Sequence, residues 1–185
     1  YVRLDQHRFD TIKINNNTYT SSRGIDVHAH YAVSSYLGTY SWASSWITPA
    51  TVEIKNNTFN KDTVGIQVTA GIYDISGNNF IESPGIKYEG GTGSNQQGLF
   101  SFKINNNTFC RQTGSGGGSN NEYAVFNLKK APGYEPASIV QNNFCSTDKF
   151  AVRIGTTPND TSGMVAKYNF WNTGNHFTID SKMVY

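Results

Sequence analysis

The hexapeptide Ile14-Asn15-Asn16-Asn17-Thr18-Tyr19 returns as Ile54-Lys55-Asn56-Asn57-Thr58-Phe59 and as Ile75-Ser76-Gly77-Asn78-Asn79-Phe80. It returns again as Ile104-Asn105-Asn106-Asn107-Thr108-Phe109 and as Ile139-Val140-Gln141-Asn142-Asn143-Phe144. The shared pattern is Ile-x-x-Asn-x-aromatic. A sixth copy, Val165-Ala166-Lys167-Tyr168-Asn169-Phe170, keeps the apolar ends and, aligned this way, loses the central Asn. Successive copies start 40, 21, 29, 35 and 26 residues apart. A constant unit joined by variable connections is the mark of a stacked repeat architecture.

A second phrase follows the first at short range: a small residue, a β-branched one, a polar one, an apolar one. It reads Gly24-Ile25-Asp26-Val27, Gly65-Ile66-Gln67-Val68, Gly85-Ile86-Lys87-Tyr88, Ala151-Val152-Arg153-Ile154 and, last, Thr178-Ile179-Asp180. The fourth copy, around Ala124-Val125-Phe126, comes after a Gly/Ser-rich insertion at 111–122. Both phrases alternate apolar and polar residues, as a strand with one buried face does. No stretch of helical period separates them, so they are not βαβ units.

Composition excludes several classes. Asn, Thr, Ser and Gly make up 74 of 185 residues, all types that helix interiors disfavour. Charged residues are 15% of the chain and the net charge is +2, against about 25% charged in an average protein. A helical bundle, a coiled coil and a basic nucleic-acid arm are therefore excluded. No apolar run approaches the roughly 18 residues of a membrane span. Aromatics at 14% speak against simple disorder. The chain starts at Tyr1 with no signal-peptide pattern, and the repeat begins and ends without an obvious cap. These features read as a piece of a longer protein. The chain is taken as one domain or segment over 1–185, with insertions at 29–51 and 111–122.

Short strands in a fixed order, variable loops and no helices predict an all-β fold: a parallel β-helix, or solenoid, of six irregular coils. At roughly 4.8 Å per coil the six would stand about 29 Å tall. The recurring Asn tolerates a left-handed turn, and its amide can both donate and accept along a column of equivalents. The aromatic after it joins an internal stack. The paired phrases, from Lys13 to Asp180, resemble the right-handed, pectate-lyase-like β-helix superfamily. That superfamily holds polysaccharide lyases, glycoside hydrolases, epimerases, viral tailspikes and non-catalytic adhesins. The irregular, Asn-rich coils look most like a tailspike or a secreted glycan-active protein. The pectate-lyase signature itself is missing, with no Arg-x-Pro-x-x-Arg and no run of Asp suited to calcium.

The resemblance implies polysaccharide binding, and degradation by glycoside hydrolysis on the side of the solenoid. Its alternatives are a non-catalytic adhesin or fibre segment and a polysaccharide lyase. Polysaccharide is the implied partner. Further coils of the same protein or a homo-oligomer, a trimer as in tailspikes, would cover the open ends. An extracellular, cell-surface or virion location follows, with no cofactor, nucleic acid or membrane span.

Strand alternation picks out the outward residues. In the strand before the Asn turn they are Lys13, Glu53, Asp74, Lys103, Ser138 and Met164. Glu53 and Asp74 fall on neighbouring coils, about 4.8 Å apart, close to the roughly 5–5.5 Å that separates the carboxyls of retaining glycosidases. Like charges that near raise one pKa, as a general acid requires. Lys13 and Lys103 flank the pair and could hold the other carboxylate ionised. The same four residues also fit a solvated ladder of exposed ion pairs. The loop before Glu53 carries Tyr31, Tyr36, Tyr40, Trp42 and Trp46, side chains suited to stacking on sugar rings or to packing on another subunit.

The second phrase gives the outward row Asp26, Gln67, Lys87, Arg153 and Asp180. Two residues further on stand His28, Thr69 and Glu89. Asp26 and Glu89, two coils apart, are the runner-up acid pair. Lys87 and Arg153 are further candidates for glycan contact, and with His28 would serve a lyase. His28 and His30 share a strand face, but no third metal ligand lies near in sequence. Cys110 and Cys145 follow the stacked Phe in consecutive copies, at a separation compatible with either a disulfide or a reduced pair. Asn-x-Thr triplets start at Asn16, Asn56, Asn106 and Asn159; the first three arise from the repeat itself and are on that ground poor evidence for glycosylation.

Overall fold

The computed structural model describes residues 2–5, 11–28, 51–63, 65–68, 72–88, 101–112, 123–128, 138–147, 150–154, 165–171 and 183–184. Among them the regular structure is all strand, arranged in three parallel sheets, and compatible with a parallel β-helix. Each turn of the chain lays one strand in each sheet. The lead sheet holds Thr11–Asn15, Thr51–Lys55, Ile72–Ser76, Ser101–Asn105, Ser138–Val140 and Val165–Lys167, in that order. The aromatic sheet holds Thr18–Thr20, Thr58–Asn60, Asn79–Ile81, Thr108–Gln112, Asn143–Thr147 and Phe170–Trp171. The return sheet holds Val2–Asp5, Ile25–His28, Ile66–Val68, Ile86–Tyr88, Tyr123–Leu128, Phe150–Ile154 and Met183–Val184.

The repeat sets the register. Ile14, Ile54, Ile75, Ile104 and Ile139 stand opposite one another up the lead sheet and are all buried. Val52, Tyr73 and Phe102, two residues earlier, form a second buried column. Tyr19, Phe59, Phe80, Phe109 and Phe144 stack with ring centroids 5.0, 4.7, 4.8 and 5.1 Å apart, and planes within 9° of parallel. Ile25, Ile66, Ile86 and Val125 fill the third side. Among the described residues the Ile, Asn and aromatic positions therefore pack like on like, and the interior is a set of residue columns.

Between the lead and aromatic strands runs the asparagine ladder. Asn57 donates from its backbone N and its Nδ2 to Asn78 Oδ1, at 2.9 and 3.0 Å. Asn78 does the same to Asn107, and Asn107 to Asn142. Each Nδ2 also reaches back to an Ile carbonyl of the coil before: Asn57 to Ile14, Asn78 to Ile54, Asn107 to Ile75 and Asn142 to Ile104. Asn57, Asn78, Asn107 and Asn142 are 1% exposed, so these bonds satisfy amides that water does not reach.

The left-handed backbone falls one residue earlier than the sequence reading placed it. Positive φ belongs to Asn16, Asn56, Gly77, Asn106, Gln141 and Tyr168, each the residue before a ladder position. The ladder Asn keeps a negative φ because its side chain must point into the stack, while its exposed neighbour takes the strained turn.

That turn also realigns the sixth copy. Asn142 donates to Asn169 Oδ1 at 2.9 and 3.0 Å, so Asn169 is the ladder residue and Tyr168, at φ 57°, is its left-handed neighbour. Phe144 pairs with Trp171, leaving Phe170 61% exposed, and Val165 stands opposite Ser138 where Met164 was expected. At the far end of the return sheet, Met183–Val184 pairs with Val152 and Arg153, so Val184 occupies the register position expected for Asp180. Val2–Asp5 adds a strand that carries neither phrase.

A second turn links the aromatic and return strands. Ser21, Lys61 and Glu82 have φ of 51°, 56° and 50°. The residue after each forms a shorter polar column: Ser22 donates from N and Oγ to Asp62 Oδ1, and Asp62 N donates to Ser83 Oγ. Gly65 follows at φ +64°, and a Cβ there would run into the carbonyl oxygen of Pro84. Only glycine meets both demands at that position.

Candidate functional site

The outward side chains of the lead sheet make a regular polar face. Strand pairing places Lys13, Glu53, Asp74, Lys103 and Ser138 in one row, as strand alternation predicts. Asn15, Lys55, Ser76 and Asn105 form the row beside it, and Thr11, Thr51, Ile72 and Ser101 the row on the other side. A strand of five residues spans about 13 Å and five intervals of about 4.8 Å span about 24 Å, which gives the dimensions of the face.

Glu53 and Asp74 are register neighbours with side chains 26% and 32% exposed. Between them sits Lys55. Its Nζ lies 2.7 Å from Asp74 Oδ2 and 3.4 Å from Glu53 Oε2. The hydrogen bond to Asp74 is the main reason its pKa is raised above the usual lysine value; partial burial opposes it, and the charges of Asp74 and Glu53 reinforce it. The ammonium offsets the repulsion between the two carboxylates.

Sequence reading assigned that compensating role to Lys13 and Lys103. Both stand in the predicted row and are exposed, yet neither lies within ion-pairing distance of a carboxylate among the described residues. The reason is geometric. Lys55 is two residues from Glu53 on the same strand face, and its long stem reaches across to the next coil. The signal was in the sequence, since Glu53-Ile54-Lys55 alternates out, in, out.

Asp62 is a second group that the sequence reading passed over. Its side chain is 2% exposed; Oδ1 takes two bonds from Ser22 and Oδ2 has no hydrogen-bond partner among the described residues. Burial raises the Tyr19 phenol above its usual pKa, and the Asp62 charge adds to that rise. Counting three residues past each stacked aromatic gives Ser22, Asp62 and Ser83, so this column too was readable.

The runner-up residues are placed by backbone register. Asp26 pairs with Arg3 on one side and Gln67 on the other, and His28 pairs with Asp5. Lys87 is half-buried and pairs by register with Gln67 and Phe126; Arg153 pairs by register with Phe126 and Val184. Glu89, His30, Thr69, Asn159 and the loop residues Tyr31, Tyr36, Tyr40, Trp42 and Trp46 lie outside the described residues. Cys110 and Cys145 are joined by a disulfide, Cα atoms 4.9 Å apart, across a bulge in the aromatic sheet. Among the described residues no group of three or more His, Cys, Asp or Glu could hold a metal ion. No helix there is long and apolar enough to cross a membrane. No family model matches the chain, and no curated protein and no solved structure matches it either.

Proposed function

We propose that the chain is a stretch of right-handed parallel β-helix, tailspike-like in its polar, irregular coils, whose lead-sheet face binds polysaccharide. The right hand rests on the general rule for parallel crossovers within one sheet. The observation that carries the binding reading is the arrangement of Glu53, Lys55 and Asp74. One ammonium within 3.4 Å of two register-neighbour carboxylates makes a fixed set of donors and acceptors. Hydroxyls of Thr11, Thr51, Ser76 and Ser101 extend it across the sheet. A long chain of hydroxyls, amides or acidic groups is complementary to such a face. The work of the triad is read as recognition, because Lys55 Nζ bridges the two carboxylates and occupies both as ion-pair partners.

Glycoside hydrolysis is the second reading, favoured by the register pairing of Glu53 with Asp74 and the spacing of retaining enzymes. One experiment separates the two. Acidic and neutral bacterial polysaccharides are tested for binding, for new reducing ends and for unsaturated uronate absorbance. Wild type runs beside Glu53→Gln, Asp74→Asn and Lys55→Met. Binding without new ends, weakened in the variants, is the expected result. Reducing ends lost in both carboxylate variants would replace binding by hydrolysis. Uronate absorbance would point to a lyase and to the His28, Lys87 and Arg153 side. Neither binding nor cleavage across the panel would leave a structural fibre segment.

A further inference from the structure

Three of the Asn-x-Thr triplets occupy one structural position. Asn16, Asn56 and Asn106 are the left-handed residues of the ladder turn, at φ 60°, 55° and 55°, and all three are exposed. The middle residue of each triplet is a ladder Asn, and Thr18, Thr58 and Thr108 open the aromatic strand. The turn itself demands neither end of the triplet. Gly77, Gln141 and Tyr168 take the same left-handed place in the other coils, and there the residue two places on is Asn79, Asn143 or Phe170. Asn and Thr thus arrive together in three coils and are both missing from the other three. Among the described residues, no hydrogen bond involves the side chains of Asn16, Asn56 and Asn106 or the hydroxyls of Thr18, Thr58 and Thr108. Among the described residues no hydrogen bond explains their pairing, and it matches the triplet read by N-glycosylation machinery. The Cys110–Cys145 disulfide is an independent observation in the same direction, since such bonds persist where the surroundings are oxidising, as along the secretory route.

We infer that Asn16, Asn56 and Asn106 are acceptors of N-linked oligosaccharide, forming a column along the ladder turn. The co-reactant is an oligosaccharide linked to a lipid diphosphate, and the catalyst is an external oligosaccharyltransferase. The Asn Nδ2 forms a C–N bond to the anomeric carbon. The C–O bond to the diphosphate breaks, the lipid diphosphate leaves with the electron pair, and the amide proton passes to a base of the transferase. No oxidation or reduction is involved.

The column also sets which acceptors compete. Asn16 and Asn56 stand on adjacent coils, about 4.8 Å apart along the stack. Asn56 and Asn106 are separated by the coil of Gly77, over which the Asn56 side chain leans: a Cβ on Gly77 would meet Asn56 Oδ1. Two glycan roots on adjacent coils crowd each other, so a single molecule carries glycan on Asn106 and on one of Asn16 and Asn56.

The test is intact-protein mass measurement together with peptide mapping, by mass spectrometry, on protein taken from the cells that make it. It is run before and after an amidase that removes N-glycans and leaves Asp. Glycan at Asn106 and at one of Asn16 and Asn56 per molecule is expected. Thr58→Ala should abolish glycan at Asn56 and raise it at Asn16 without moving the melting temperature of the deglycosylated protein. Bare Asn at all three positions would overturn the inference. Molecules doubly modified at Asn16 and Asn56 would overturn its exclusion of neighbours.

Discussion

Replacing Asn107 by Ala should be among the most damaging single changes to this chain, and Asn17→Ala among the mildest in the same column. Asn107 Oδ1 accepts from Asn78 N and Nδ2, at 2.9 and 3.0 Å, and its Nδ2 donates to Ile75 O and Asn142 Oδ1. Truncation deprives the buried Asn78 N–H of its acceptor and Ile75 O of a side-chain donor. At about 1–3 kcal/mol for each buried group left unsatisfied, the loss is about 2–6 kcal/mol. Asn17 stands at the first coil and is exposed. Its side chain donates to Asn15 O and Asn57 Oδ1, and no described group donates to its own Oδ1. Its loss should be about 0.5–1.5 kcal/mol. Urea unfolding of the two variants beside wild type reads the difference as a shift in midpoint at constant slope. Equal costs, or an Asn107→Ala variant within about 1 kcal/mol of wild type, would refute the claim that the ladder amides are shielded and mutually satisfied.

Other consequences follow from the same geometry. Cys110→Ser together with Cys145→Ser releases a loop of 35 residues and should cost about 4 kcal/mol in the chain-entropy account, read from midpoints of the oxidised and variant proteins. Gly65→Ala forces a Cβ against Pro84 O at a left-handed φ, a combination of strain and overpacking expected to lower stability by about 2 kcal/mol or more. Tyr19 and Lys55 both have raised pKa values in the fold. Each therefore binds its proton more tightly folded than unfolded. Their contribution is complete below about pH 10 and is lost as pH rises past the unfolded values toward the folded ones. Alkaline unfolding followed at fixed temperature should accordingly be steeper in wild type than in Tyr19→Phe. Lys55→Met should change stability by no more than about 1 kcal/mol, and less at high salt, because the ion pairs are partly exposed.

The columns were legible in the sequence because each position in the coil repeats its residue type. Ile14, Tyr19 and Ile25 mark three sides of the interior, Asn17 marks the turn between the first two, and period-two alternation assigns Glu53 and Asp74 to the outside. The sixth copy was aligned on its apolar ends, Val165 and Phe170, whereas the fold aligns it on Asn169, since a missing ladder amide would leave buried partners unsatisfied and a shifted apolar residue would not. Lys55 lies in the row beside Glu53 and Asp74, so the alternation that marks their row does not mark its part in the pair. Val2–Asp5 and Met183–Val184 carry neither phrase; only their pairing with Ile25–His28 and Phe150–Ile154 reveals them as strands. Nothing in the repeat dictates what the lead-sheet face does, because the recurring Ile, ladder Asn and aromatic are occupied in holding one coil on the next.

Side-chain amide exchange of the asparagines tests most directly whether the repeat builds a continuous internal ladder. In two-dimensional nitrogen–proton spectra of the folded protein, the NH2 groups of Asn57, Asn78, Asn107 and Asn142 should exchange with heavy water far more slowly than those of Asn16, Asn56 and Asn106. Only the first set is shielded and bonded on both sides. Equal, fast exchange across both sets would contradict the stack on which the proposed binding face rests.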